Sequence, residues 1–172
     1  MTGYLIALVL MLLLSAVFSG SETALFSLSP TQLDIMKRST SSTDRWIMRL
    51  LRDPNRLLGT LLLGNLIVNT STSALFTLAA VALAGRPGRS PATYLGIGGL
   101  IMTMLLLIFG EVTPKLVATR TTAGFAKFGA PLVRATWWLL APLVSLLLKL
   151  SPALSLIRSD SETLTDDELH SM

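Results

Sequence analysis

Three long apolar runs set the pattern of this chain, and each carries polar residues at particular places. The first extends from Tyr4 to about Leu28, and residues 1–21 hold no charged side chain. The second, Leu57 to Gly85, is uncharged throughout, and so is the third, Ser90 to Gly110. A helix needs about 20 apolar residues to cross a hydrocarbon core of about 30 Å. The pattern therefore predicts three membrane-spanning helices, over about 4–28, 57–84 and 92–113. The second run is longer than a span requires and is expected to tilt or break.

Shorter elements are predicted between and after the runs. Ser29-Pro30 reads as a helix cap followed by the first helical residue, with a short helix to Arg38. Ser39 to Thr43 is a polar turn. Asp44 to Arg52 is amphipathic: Trp46, Ile47, Leu50 and Leu51 share one face, and Arg45, Arg49 and Arg52 another, as in an interfacial helix. Asp53-Pro54 repeats the cap-then-proline start, and Gly85 to Pro91 is a loop by composition. Beyond Lys115, Thr121 to Gly129 is small and polar. Arg134 and Lys149 then bracket an uncharged stretch too short for a span, with Trp137 and Trp138 suited to the headgroup layer and Pro142 breaking its middle. A juxtamembrane helix over about 131–150, lying along the membrane, is expected. Residues 159–172 are acidic, with a helix start at Thr165, and read as a linker towards a further domain, so that 1–158 forms the membrane domain.

Composition agrees with an all-α membrane protein. Only 14% of the residues are charged, against about 25% in soluble domains, and the mean hydropathy is +0.65. There is no cysteine and one histidine, His170, which argues against thiolate or histidine metal centres and against an enzyme. A hydrolase would have to pair Glu111 with Ser19 or Ser21. Met1 to Tyr4 lacks the basic residues of a signal peptide, so the first run is read as a retained span. The net charge of +4 comes from basic residues flanking the apolar runs. They are expected to set topology and to touch anionic lipid, with no nucleic-acid partner. The loop from Ser29 to Arg56 is richer in Lys and Arg than the loop holding Arg86 and Arg89, which predicts an outside N-terminus and a cytoplasmic C-terminus.

The candidate chemistry lies in three polar clusters. Glu111 closes an apolar run of membrane length, where a carboxylate is costly and points to function. Three residues on, Pro114 has no N–H for the Gly110 carbonyl four residues back. A helix kinked or broken there would set a free carbonyl beside a carboxylate. The other reading of Glu111 is a pair with Lys115, one turn on. In the first run, Ser19-Gly20-Ser21-Glu22 either unwinds locally, exposing carbonyls beside two hydroxyls, or packs closely through its small residues. In the second, Asn65, Asn69 and Ser73 are four apart and share a helical face. They either bond to other helices or line a cavity, with Asn65 the better ligand. All three clusters fall in the cytoplasmic half of their spans, and oxygen ligands from three helices at one depth suit a small hard cation.

These motifs in this order, Ser19-Gly20-Ser21-Glu22-Thr23-Ala24, Gly64-Asn65 and Gly110-Glu111-Val112-Thr113-Pro114-Lys115, resemble the transmembrane domain of the CorC/CNNM family of magnesium transporters. The segment Leu164 to Leu169 is similar to the stretch that leads into that family's cytosolic CBS-domain pair. The resemblance implies a homodimer in the cell membrane, Mg²⁺ export coupled to Na⁺, and CBS domains following the membrane part. The ligands expected on this reading are the oxygens of Ser19 and Ser21, the Asn65 side chain, the Gly110 carbonyl and the Glu111 carboxylate. Gly20 and Pro114 would keep backbone carbonyls free, and Glu22, Asn69 and Ser73 would line the path or a Na⁺ site. The rival is a membrane-embedded Mg²⁺ sensor or scaffold that binds the ion without moving it.

Overall fold

The computed structural model describes residues 2–84 and 91–150, and within these every element is helical. The helices are α1 (Thr2–Phe26), α2 (Pro30–Arg38), α3 (Ser42–Leu50), α4 (Pro54–Ala84), α5 (Pro91–Leu105), a π-helical segment (Leu106–Val112), α6 (Thr113–Arg120), α7 (Thr122–Leu139) and α8 (Ala141–Leu150). Three stretches are long and apolar enough to cross a membrane: Thr2–Phe26, Pro54–Ala82 and Leu95–Arg120. The readings of the 85–91 loop and of the 159–172 linker fall on residues outside those described, Pro91 excepted.

Local chemistry accounts for the short elements. The Ser29 hydroxyl accepts from the Gln32 N–H while the Gln32 side chain accepts from the Ser29 N–H, a closed capping box ahead of Pro30. A carboxylate oxygen of Asp53 accepts from the Arg56 N–H at the start of α4. In α3 the apolar face is buried, with Ile47 and Leu50 fully enclosed.

The protein core sits at one end of the bundle. Leu25 of α1, Met36 of α2, Ile47 and Leu50 of α3, Leu57 and Leu61 of α4, and Ala126 and Val133 of α7 form one buried cluster. Elsewhere the spans turn apolar side chains outward, among them Leu5, Val9 and Leu13 of α1, Leu62 and Leu66 of α4, and Leu100 and Ile101 of α5. That inversion is what a lipid solvent allows, because exposed leucine costs nothing in hydrocarbon.

Two local expectations give way. Helix α1 stays helical through Ser19-Gly20-Ser21-Glu22, so the segment does not unwind. Gly20 serves close packing instead, since a Cβ there would overlap the Phe125 ring of α7. Pro114 does not break the third helix either. The chain continues through α6 to Arg120, and the Thr113 N–H bonds the Ile108 carbonyl five residues back. One widened turn takes up the register ahead of the missing proline donor, so the helix is not broken there.

After Arg120 the helix expected to begin near residue 131 already starts at Thr122 and holds Pro131 inside it. The α7 and α8 axes meet at 70°, at a break just before Pro142. Helix α7 is tied to α3 by an ion pair, Lys127 Nζ lying 2.9 and 3.1 Å from the two carboxylate oxygens of the buried Asp44.

A candidate cation site between three spans

Ser15 is the hub of the polar contacts inside the membrane bundle. It is fully buried on α1. Its hydroxyl lies 2.7 Å from Asn69 Oδ1, 3.4 Å from Asn65 Oδ1 and 3.5 Å from the Gly110 carbonyl. One hydroxyl has one hydrogen, so it satisfies one of these three acceptors at a time. The remaining acceptors converge on that same hydroxyl. Hard oxygens from three helices that meet at one point suit a cation.

Glu111 completes the ring. Its Oε1 accepts from Asn69 Nδ2 at 2.9 Å, and its backbone carbonyl accepts from the Ser19 hydroxyl at 3.2 Å. The Asn69 amide therefore points its oxygen at Ser15 and its nitrogen at the carboxylate, which holds both in place. Glu111 and both asparagines are half-buried, while Ser15, Ser19 and Gly110 are buried. The π segment presents Gly110 and Glu111 together to α1. An extra residue in a turn of this kind rotates the residues after it, and such turns recur at functional sites. A Cβ at Gly110 would stand 2.8 Å from the Ser15 hydroxyl and force it out of the ring.

The sequence-expected residues divide. Ser19, Asn65, Gly110 and Glu111 come together, and Asn69, expected only along a path, stands at the centre. Ser21 does not join them. Two residues on from Ser19 it is turned by about 200° around the helix, and its buried hydroxyl faces Gly129 of α7 without a hydrogen-bond partner. Ser73 is exposed and bonds back to the Asn69 carbonyl on its own helix. Glu22 pairs with Lys115 at 3.4 Å, one to two turns from the hub. That contact also settles the alternative reading of Glu111, since Lys115 is engaged by Glu22. Pro114 is buried at the start of α6.

Ser15 itself was not foreseen. The signal was present, because Ser15, Ser19 and Thr23 are four apart on α1, as Asn65, Asn69 and Ser73 are on α4.

Chemically, the site offers neutral oxygens and one carboxylate. Among the described residues no group of three or more His, Cys, Asp or Glu gathers to hold a metal. Hard oxygen donors with little net charge suit Mg²⁺, Ca²⁺ or Na⁺ over softer transition metals.

The family profile of the cyclin M transmembrane N-terminal domain matches residues 5–172. The chain is 34% identical over 137 residues to the UPF0053 inner membrane protein YfjD of Escherichia coli, covering 80% of this chain and 29% of that protein. It is 34% identical over 142 residues to a UPF0053 protein of Haemophilus influenzae, covering 83% and 32%. To the metal transporter cnnm-4 of Caenorhabditis elegans it is 35% identical over 129 residues, covering 69% and 25%. The chain thus spans about a quarter to a third of the length of these relatives. With the match running through all three spans and the oxygen ring they enclose, this chain belongs to the cyclin M transmembrane domain family.

Proposed function

We propose that this domain transports Mg²⁺ across the cell membrane, with the ion as cargo bound between α1, α4 and the π segment. The observation that carries the reading is the ring around Ser15, where oxygens from three helices converge on one buried hydroxyl beside the Glu111 carboxylate. The ligands are the Ser15 hydroxyl, the Asn65 and Asn69 amide oxygens, the Gly110 carbonyl and the Glu111 carboxylate, with Ser19 holding the Glu111 backbone. On arrival of the ion the Ser15 hydrogen swings outward and the lone pairs turn to the metal. One carboxylate against a divalent ion leaves the site weakly charged, which favours release as well as entry.

Support from relatives is of a general kind: two nematode members bear the name metal transporter. The finer features belong to the same proposal. They are export coupled to Na⁺, a homodimer with its N-terminus outside, cytosolic CBS domains following the membrane part, and a transport role without enzymatic chemistry.

The test is paired. Calorimetry on the purified protein measures Mg²⁺ binding, and flux into proteoliposomes measures movement. Binding and flux that are both lost in Glu111→Gln support transport. Binding without flux turns the reading to a sensor, and absence of Mg²⁺ binding in the wild type overturns it.

A further inference from the structure

A groove of about 830 Å³ opens where α1 ends and α4 begins, closed on the far side by α2 and α3. Its floor is apolar, formed by residues such as Leu28, Leu33, Met36 and Met48. Arg45, Arg49 and Arg52 line its edge, and no carboxylate lines it. Lys37 also lines the groove and is paired with Asp34 at 3.3 Å. The three arginines form no ion pair among the described residues.

The arginines are arranged rather than scattered. Arg45 and Arg49 are one turn apart on α3, and both also line a second cavity of about 170 Å³ together with Trp46 and Arg134. Two guanidiniums rest on the Trp46 ring, that of Arg134 at 4.6 Å and that of Arg49 at 5.0 Å. Stacking of this kind holds a guanidinium in place while leaving its N–H edge free for an oxyanion. Of these two only Arg49 lines the groove, where it stands with Arg45 and Arg52 and with no carboxylate in the lining, a set of charges that calls for an anion.

We propose that the groove binds the headgroup of an anionic phospholipid. The phosphate lies against Arg45, Arg49 and Arg52, and the glycerol and first acyl carbons lie on the apolar floor. A free phosphate would use the arginines but leave the floor in water, and the volume is that of a site for a larger ligand. The position agrees, since the groove is lined by Leu25 and Phe26 at the end of one span and by Pro54 at the start of the next. Phe26 is 46% exposed there and offers an apolar edge to acyl carbons. Arginine bonds phosphate oxygens two at a time, which gives a headgroup a fixed seat in place of diffuse attraction.

Native mass spectrometry of the intact protein, titrated with phosphatidylglycerol or phosphatidylcholine in detergent, tests this. Retention of phosphatidylglycerol over phosphatidylcholine is expected. The Arg45→Gln/Arg49→Gln double variant should bind phosphatidylglycerol roughly thirtyfold more weakly, the factor for two basic residues lost beside an anionic surface. Arg45→Lys/Arg49→Lys should recover only part of it, because lysine restores the charge without the paired bonds. Leu28→Trp, which fills the floor and keeps every charge, should weaken lipid retention as well. Helix content by circular dichroism serves as the control for folding. Equal retention of the two lipids, or an unchanged Gln variant, overturns the proposal. Complete displacement by millimolar inorganic phosphate with no effect of Leu28→Trp also overturns it, since that outcome describes a free-anion site.

Discussion

The Ser15 hydroxyl donates to Asn69 Oδ1 across 2.7 Å, and the other end of the same amide donates to Glu111 Oε1 across 2.9 Å. Two hydrogen bonds thus link three helices through one side chain. Replacing Ser15 with Ala removes the hydroxyl at the centre of the ring and leaves the three acceptors without it. Mg²⁺ affinity by calorimetry is expected to fall at least tenfold, with a stability loss of about 1 kcal/mol for the hydrogen bond.

Ser21→Ala is the contrasting variant. The Ser21 hydroxyl is buried against Gly129 with no partner, so its removal relieves a desolvated polar group. Thermal unfolding should show stability unchanged or raised by up to about 1 kcal/mol, and Mg²⁺ affinity should not move. A large loss of affinity would return Ser21 to the ligand set.

Glu111→Gln separates charge from geometry. The Gln side chain still offers an oxygen to Asn69 Nδ2, so the helices stay linked while the carboxylate charge is gone. A loss of at least tenfold in Mg²⁺ binding is expected with the melting temperature held within a few degrees. Asn69→Ala should cost both binding and stability, because it takes away both bonds at once.

Gly110→Ala tests the close approach of the π segment to α1. The new methyl would stand 2.8 Å from the Ser15 hydroxyl, inside van der Waals contact. Overpacking of this kind costs roughly 1–3 kcal/mol, and the displaced carbonyl should abolish Mg²⁺ binding. Adding Ser15→Gly makes room for the methyl, so the pair should destabilise by less than the sum of the two single variants, without restoring binding.

Asp44 sets an acid limit on the α3–α7 junction. Burial pushes its carboxyl upward, but the Ser39 hydroxyl and the Lys127 ammonium outweigh this and hold it below its ordinary value. A depressed carboxyl stabilises the fold fully above the unfolded value near 4 and loses that contribution as pH falls through the folded value. Through this pair the melting temperature should therefore not vary with pH near neutrality, and it should fall as the pH drops below about 4. In Lys127→Ala the buried carboxylate loses its partner. The expected cost is roughly 1–3 kcal/mol, less than for a fully buried pair because the lysine is half in solvent.

Membrane spans, caps and the amphipathic α3 are readable along the chain because each is a local matter. Run length decides whether a helix can cross, a serine or aspartate ahead of a proline starts one, and a spacing of three and four residues marks a face. Glu111 stood out for the same reason, as a carboxylate where hydrocarbon should be. Tertiary structure decided which side of α1 faces the other spans. A helix apolar almost all round carries no stripe to mark its inner face, so Ser15 and Ser21 look alike in sequence while pointing to different neighbours. It also decided that Asn69, rather than Asn65 alone, joins the serine to the carboxylate, and that Lys115 meets Glu22 instead of Glu111. The buried pair of Asp44 with Lys127, 83 residues away, has no local signature at all. Contacts of that kind depend on how far a turn is rotated and how closely two helices approach, and no single segment holds that information.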